Sequence, residues 1–231
     1  MQGVKGYEEI WESFVSERTL EFGGHRDPEW QSGHELSASF VIPVDVSRFA
    51  DRLQPMRDAL ENEPYVSLHP DHFMHITLLL LGFLTPEPEE TNEVSSRRLT
   101  ELGEHAKEAL ADFPPFSVEL ANLNAFPGAA FVEVHDGGGI SRLQDTLCSG
   151  CGLKRPPGPP HLTLAYLQAP DGTPAPDSLV SAVSEYRDWP VGTLEVERAE
   201  LTLLNVRDEY PEPRTLCELP LSGRREATGK A

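Results

Sequence analysis

The tetrapeptide His75-Ile76-Thr77-Leu78 occurs a second time as His161-Leu162-Thr163-Leu164. Two chance matches to H-x-T-L are expected in only about one such chain in a thousand, so the repeat points to two equivalent halves. Both copies lie in apolar stretches that read as strands, HITLLLLGFL and HLTLAYL. On a strand, residues i and i+2 share a face, so each imidazole stands beside its own hydroxyl. Ile76 and Leu162, with Leu78 and Leu164, then turn the other way into a core. Folding alone has no use for a polar His-Thr pair on one face of two apolar strands.

Two such strands meeting at a cleft present two imidazoles and two hydroxyls to one ligand. Imidazole titrates near neutral pH, so one copy can act as general base and the other as general acid. The threonine hydroxyls add fixed donors that suit the non-bridging oxygens of a phosphate. This arrangement requires no metal and no organic cofactor.

The rest of the chain organises around these strands. Tyr7, Ile10, Trp11, Phe14 and Val15 fall at helical spacing and predict an amphipathic helix over 7–20. The Gly-, Pro- and charge-rich stretch 21–34 reads as a linker, so residues 1–33 form an N-terminal helical extension. The main domain runs over 34–221, and 222–231 is a flexible tail. Within the domain, ELSASFVIPV predicts a strand, 46–62 a helix with Pro55 uncomfortably inside it, and YVSLH a strand. A helix near 93–112 follows an acidic loop, and FSVELANLNAF and AAFVEVH join through Pro127-Gly128. The Gly137–Gly139 turn opens a helix ending near Cys148, and a helix near 177–188 precedes the strands TLEVERAELTLLNV and PRTLCELPL. Strands and helices mix without strict βαβ alternation, which gives α+β with mostly antiparallel pairing.

Charge narrows the ligand. Nineteen Lys+Arg against 38 Asp+Glu leave a net charge of −19. That balance argues against a broad basic face for long nucleic acid, and a phosphate ligand should be small. The basic pair Lys154-Arg155 lies just ahead of the second motif and is the candidate for holding a substrate phosphate. No run of residues is apolar enough to span a bilayer, and 1–20 lack a basic start followed by an apolar stretch. The expectation is a cytoplasmic monomer.

Other signals carry less. Cys148 and Cys151 have C-x-x-C spacing, but there is no second pair, only Cys217. His72 and His75 on one strand would point to opposite faces, which argues against a shared metal. The Gly137–Gly139 run lacks the Lys-Ser/Thr of a P-loop. Phe40, Phe83, Phe126 and Phe131 read as core residues, one or two of which could stack on a base.

Over most of 35–221 the sequence resembles the 2H phosphoesterases, a group that includes 2′-5′ RNA ligase-like proteins and RNA 2′,3′-cyclic phosphodiesterases. The resemblance rests on ASFVIPV, on HITLLLLGFL with its Leu-Gly, on HLTLAYL, and on VERAELTLLNV with TLCELPL. It implies a bilobal, pseudo-two-fold α+β fold, with two mostly antiparallel sheets facing a central cleft and helices outside. It implies catalytic roles for His75 and His161, phosphate contacts from Thr77 and Thr163, and no cofactor, and it favours His75 as acid and His161 as base. Members acting on RNA cyclic phosphate ends often carry Arg five positions after the second His. Here that position is Tyr166, a candidate substrate contact, with Lys154-Arg155 available in place of the missing charge. The expected ligand is a small nucleotide or RNA end bearing a 2′,3′-cyclic phosphate or a 2′-5′ linkage. A 2′-5′ oligoadenylate, a cyclic oligonucleotide, an ADP-ribose cyclic phosphate, or binding without turnover remain alternatives.

Overall fold

The computed structural model describes residues 6–224. Tyr7–Glu17 forms helix α1, with Ile10 and Phe14 buried as the spacing predicts. The segment that composition marks as a linker is instead built into the fold. Thr19–Phe22 is strand β1, and Pro28–Gln31 is a single helical turn, α2, capped by the Asp27 carboxylate. Leu36–Pro43 is β2. The next helix begins as a 3₁₀ turn at Val46–Phe49 and continues as α3, Ala50–Glu61, which holds Pro55. Val66–Leu68 is β3, His75–Leu84 is β4, and Glu93–Val94 is a short β5 ahead of α4, Ser96–Leu110. Phe116–Phe126 and Ala129–His135 form the hairpin β6–β7, which turns at Pro127-Gly128. Helix α5, Gly139–Cys151, runs one turn past the predicted end. Strand β8, His161–Pro174, runs well beyond the motif. Helix α6, Asp177–Glu185, and strands β9, Pro190–Val196, β10, Arg198–Asn205, and β11, Arg214–Pro220, complete the fold.

The strands follow the order β11-β10-β2-β4-β8-β7-β6-β9, with β1 and β3 on β8 and β5 on β4. Every pairing is antiparallel except the short β4–β5 contact. The two expected antiparallel sheets meet edge to edge at one seam. The halves β11-β10-β2-β4 and β8-β7-β6-β9 join into one sheet through a single residue pair, Ile76 with Leu162. These are the middle residues of the two motifs, and both are fully buried. Burying each such side chain stabilises the fold by about 1.5–3 kcal/mol. The apolar half of each motif therefore fixes the seam on which the polar half is displayed.

Matched irregularities repeat the symmetry. The β2 register steps from Phe40–Leu79 to Val41–Thr77, which leaves Leu78 as an extra residue. The β7 register steps from Ala130–Ala165 to Phe131–Thr163, which leaves Leu164 extra. Each bulge lies three residues after its histidine. An extra residue reverses the parity of all that follows. Leu80 and Tyr166 therefore return to the face that carries the histidines.

Helices α4 and α5 pack on each other, and α5 also touches β4 and β6. Helix α3 packs against α6, β3 and β9. Helix α1, from the N-terminal extension, lies on the histidine side of the second half, against β6. Of the expected tail, Ser222 and Gly223 are docked through hydrogen bonds to the carbonyls of Ala111 and Phe113. Residues 225–231 lie outside the described region. No helix among the described residues is long and apolar enough to cross a membrane.

Candidate active site

Both histidines open their strands and are oriented in the same way. The His75 Nδ1–H donates to the Phe73 carbonyl at 2.8 Å, and the His161 Nδ1–H donates to the Pro159 carbonyl at 3.1 Å. A carbonyl can only accept, so each Nδ1 carries the hydrogen and each neutral ring keeps its lone pair on Nε2. Among the described residues, neither Nε2 has a protein partner. The sequence secures this locally: a 3₁₀ turn, Asp71–Phe73, precedes His75, and Pro159-Pro160 precedes His161.

His75, Thr77, His161 and Thr163 line one cavity of about 380 Å³. Gly23, Gly24, Gly128 and Ala129 form part of its wall, and His69, Phe73, Phe126 and Tyr166 supply rings. Burial holds the His75 pKa below the ordinary imidazole value. The Phe73 carbonyl opposes that shift, and the neighbouring His161 and His25 reinforce it. Burial also lowers His161, against the pull of the Pro159 carbonyl. Both rings are therefore poised to be neutral near pH 7, each with its free nitrogen available to exchange a proton.

Tyr166 reaches the cavity because of the bulge at Leu164. Its hydroxyl donates to His25 Nδ1 at 3.3 Å, while the His25 Nε2–H donates to the Asp208 carbonyl at 2.8 Å. Tyr166 thus lines the cavity with its hydroxyl already engaged and its pKa raised by burial. His69 lies edge-on to Tyr166 with ring centroids 4.3 Å apart, and Phe73 and Tyr210 complete the aromatic wall. Only 3% of His69 is exposed, and neither of its ring nitrogens has a hydrogen-bond partner. Burial and the nearby His75 and His25 drive its pKa down to about 3, so the ring stays neutral.

Lys154 and Arg155 do not reach the cavity, contrary to expectation. Arg155 lies over α5, where it donates to Ser141 at 2.7 Å and pairs with Asp145 at 3.4 Å. Among the described residues, no Lys or Arg lines the cavity. Hydroxyls and imidazoles are the polar side chains available there to a phosphate. His72 lies in the 3₁₀ turn and not on the strand, and its Nε2–H donates to the Tyr210 carbonyl. Cys148 and Cys151 occupy the last turn of α5 as free thiols, with Cys151 buried against the Leu102 carbonyl. Among the described residues, no three His, Cys, Asp or Glu side chains converge as a metal cluster would require.

The sequence reading did not place His69, Phe73 or the Gly23-Gly24 turn at the cavity, or His25 behind Tyr166. His25 and the two glycines sit in the supposed linker, and contact order alone hides their partners, because His25 meets Tyr166 across 141 positions.

The sequence model of the 2′-5′ RNA ligase superfamily matches residues 42–208. No curated protein matches in sequence. Among solved structures, TT0787 of Thermus thermophilus is 20% identical with a TM-score of 0.58, covering 82% of this chain and 100% of its own. E. coli LigT complexed with NADP+ is 17% identical with a TM-score of 0.58, covering 82% and 99%. E. coli LigT complexed with 3′-AMP is 16% identical with a TM-score of 0.58, covering 82% and 98%. At these identities the likeness concerns the fold.

Proposed function

This chain belongs to the 2′-5′ RNA ligase superfamily, and on that premise we propose that it is a metal-independent phosphoesterase acting on 2′,3′-cyclic phosphate or 2′-5′ linked nucleotides. The observation that carries the reading is the pair of imidazoles, each locked through Nδ1 and each offering a free Nε2 to one cavity. In hydrolysis, one neutral histidine takes a proton from water as its oxygen attacks phosphorus. The other, protonated, delivers a proton to the departing ribose oxygen. The Thr77 and Thr163 hydroxyls donate to the non-bridging oxygens, whose charge grows as phosphorus becomes five-coordinate. With a 5′-hydroxyl in place of water as the nucleophile, the same two roles join a 2′,3′-cyclic phosphate to it and release the ribose 3′-oxygen as a hydroxyl; attack of that 3′-hydroxyl on the 2′-5′ bond is the reverse, with the roles exchanged. Ligation and hydrolysis are then one site under two substrate regimes. The fold neighbours solved with NADP+ and 3′-AMP support a nucleotide as ligand.

The testing experiment is a product assay, with excess chelator present, on nucleoside 2′,3′-cyclic monophosphates and on 2′-5′ and 3′-5′ linked dinucleoside monophosphates. Turnover of the cyclic phosphates or of the 2′-5′ bond, with the 3′-5′ bond spared, is expected. Failure on all of them, or activity only after a divalent ion is restored, would overturn the reading.

A further inference from the structure

The registers assign specific side chains to the histidine face of each half. In the first half these include Ser39, Val41 and Pro43 of β2, paired in turn with Thr202 and Glu200 of β10 and with His75. In the second they are Phe131 and Glu133 of β7, paired with Thr163 and His161, and Asn124 of β6, opposite Phe131. The two faces are treated in opposite ways.

The second-half face is closed. Phe131, Glu133 and Asn124 are at most 1% exposed. Asn124 Nδ2–H donates to the Tyr7 carbonyl at the start of α1, and the Tyr7 hydroxyl bonds the Val134 backbone and the Pro160 carbonyl. Glu133 is satisfied by Asn122, Asn124 and Arg187. The N-terminal helix therefore fills the space into which a substrate could extend past His161.

The first-half face is open. A second cavity, of about 320 Å³, shares His75 with the first and runs over Ser39, Thr202, Thr215, Glu200 and Glu212. Among the described residues, no Lys or Arg lines it. The nearby guanidinium groups of Arg57 and Arg198 are already held by Asp71 at 2.8 Å and Glu200 at 2.9 Å. The Glu212 side chain is 81% exposed and lies 3.9 Å from His72 Nδ1. Hydroxyls and carboxylates hydrogen-bond sugar and base groups, but carboxylates repel a phosphate.

Resting on the phosphoesterase reading above, we infer that the groove is one-sided and that the cavity beyond His75 is the subsite for the leaving nucleoside, selecting one that bears no phosphate of its own. The matching substrate is two nucleosides joined by a single phosphodiester. A phosphate beyond the scissile one meets the exposed carboxylate of Glu212, while the nearby Arg198 is already engaged by Glu200. Longer chains add more phosphates, and α1 blocks the other direction.

The test compares kcat/KM for a 2′-5′ linked dinucleoside monophosphate with that for the same compound phosphorylated on its leaving nucleoside. The phosphorylated form should be worse by about ten-fold at low salt, with the gap narrowing as salt rises. Glu212→Lys should remove the penalty. A nucleoside 2′,3′-cyclic phosphate, which has no separate leaving nucleoside, reports on the catalytic reading independently. If it is not turned over and neither dinucleotide is cleaved, the phosphoesterase reading fails. If it is turned over but the phosphorylated dinucleotide is cleaved as well as the plain one or better, or Glu212→Lys leaves the penalty intact, the one-sided subsite is overturned.

Discussion

Replacing His75 or His161 by alanine is expected to lower kcat by about 10²–10⁴-fold in each case. Each ring makes a single hydrogen bond, to the carbonyl two residues before it, and borders the cavity, so the sheet should fold without either. The seam between the halves depends on Ile76 and Leu162, which both variants keep. Because one proton transfer is useless without the other, the double variant should be little worse than either single one. Steady-state kinetics beside a thermal unfolding curve checks this. A variant that retains near-normal turnover would remove its histidine from the mechanism, and a loss of turnover that tracks unfolding would make it structural.

The second large effect concerns stability. Gly23→Ala should destabilise the protein by at least about 3 kcal/mol. A Cβ on Gly23 would lie 1.7 Å from the Gly128 carbonyl oxygen and 2.5 Å from the Gly128 carbonyl carbon. Those are backbone atoms of the β6–β7 turn, held where the Leu167 N–H donates to that same oxygen, so they cannot swing aside. On the other side, the Gly23 N–H donates to the Leu167 carbonyl, which ties the N-terminal segment to the middle of β8. Relief of the clash would pull Gly24 and His25 away from Tyr166, so activity should fall as well. Gly6→Ala, where no atom lies within 4 Å of the new Cβ, is the control expected to change little. Urea unfolding of both variants decides the matter. Unchanged stability for Gly23→Ala would mean that 19–24 is only loosely attached after all.

That clamp also shows where sequence reading stopped. The i, i+2 rule was enough to place both His-Thr pairs on one face, since each motif precedes its bulge. Alternation continued past Leu78 or Leu164 puts Leu80 and Tyr166 on the wrong face, because one extra residue reverses the parity and leaves no mark in the pattern of apolar residues. Leu80, 55% exposed on the histidine face, is the visible trace of that reversal. Lys154 and Arg155 are absent from the cavity lining for a different reason. Nearness along the chain to His161 says nothing about direction, and Arg155 turns toward Asp145. The linker reading of 21–34 followed from composition, but Gly23 is there to let two backbones touch. The Pro127-Gly128 hairpin, by contrast, was legible because two strand-like stretches flank a Pro-Gly pair and turn chemistry is local.

The most direct test of the paired-histidine mechanism is kcat/KM as a function of pH for the wild type and for each single alanine variant. Catalysis needs one ring neutral and one protonated, and burial lowers the pKa of both. The wild-type profile should therefore be a bell whose maximum lies below the ordinary imidazole value of about 6.5. Activity should fall toward neutral pH as the acid loses its proton, and toward low pH as the base gains one. With His75 as acid and His161 as base, His75→Ala should lose the alkaline limb and His161→Ala the acidic limb. A wild-type profile with no bell, or two variants that lose the same limb, would contradict the account.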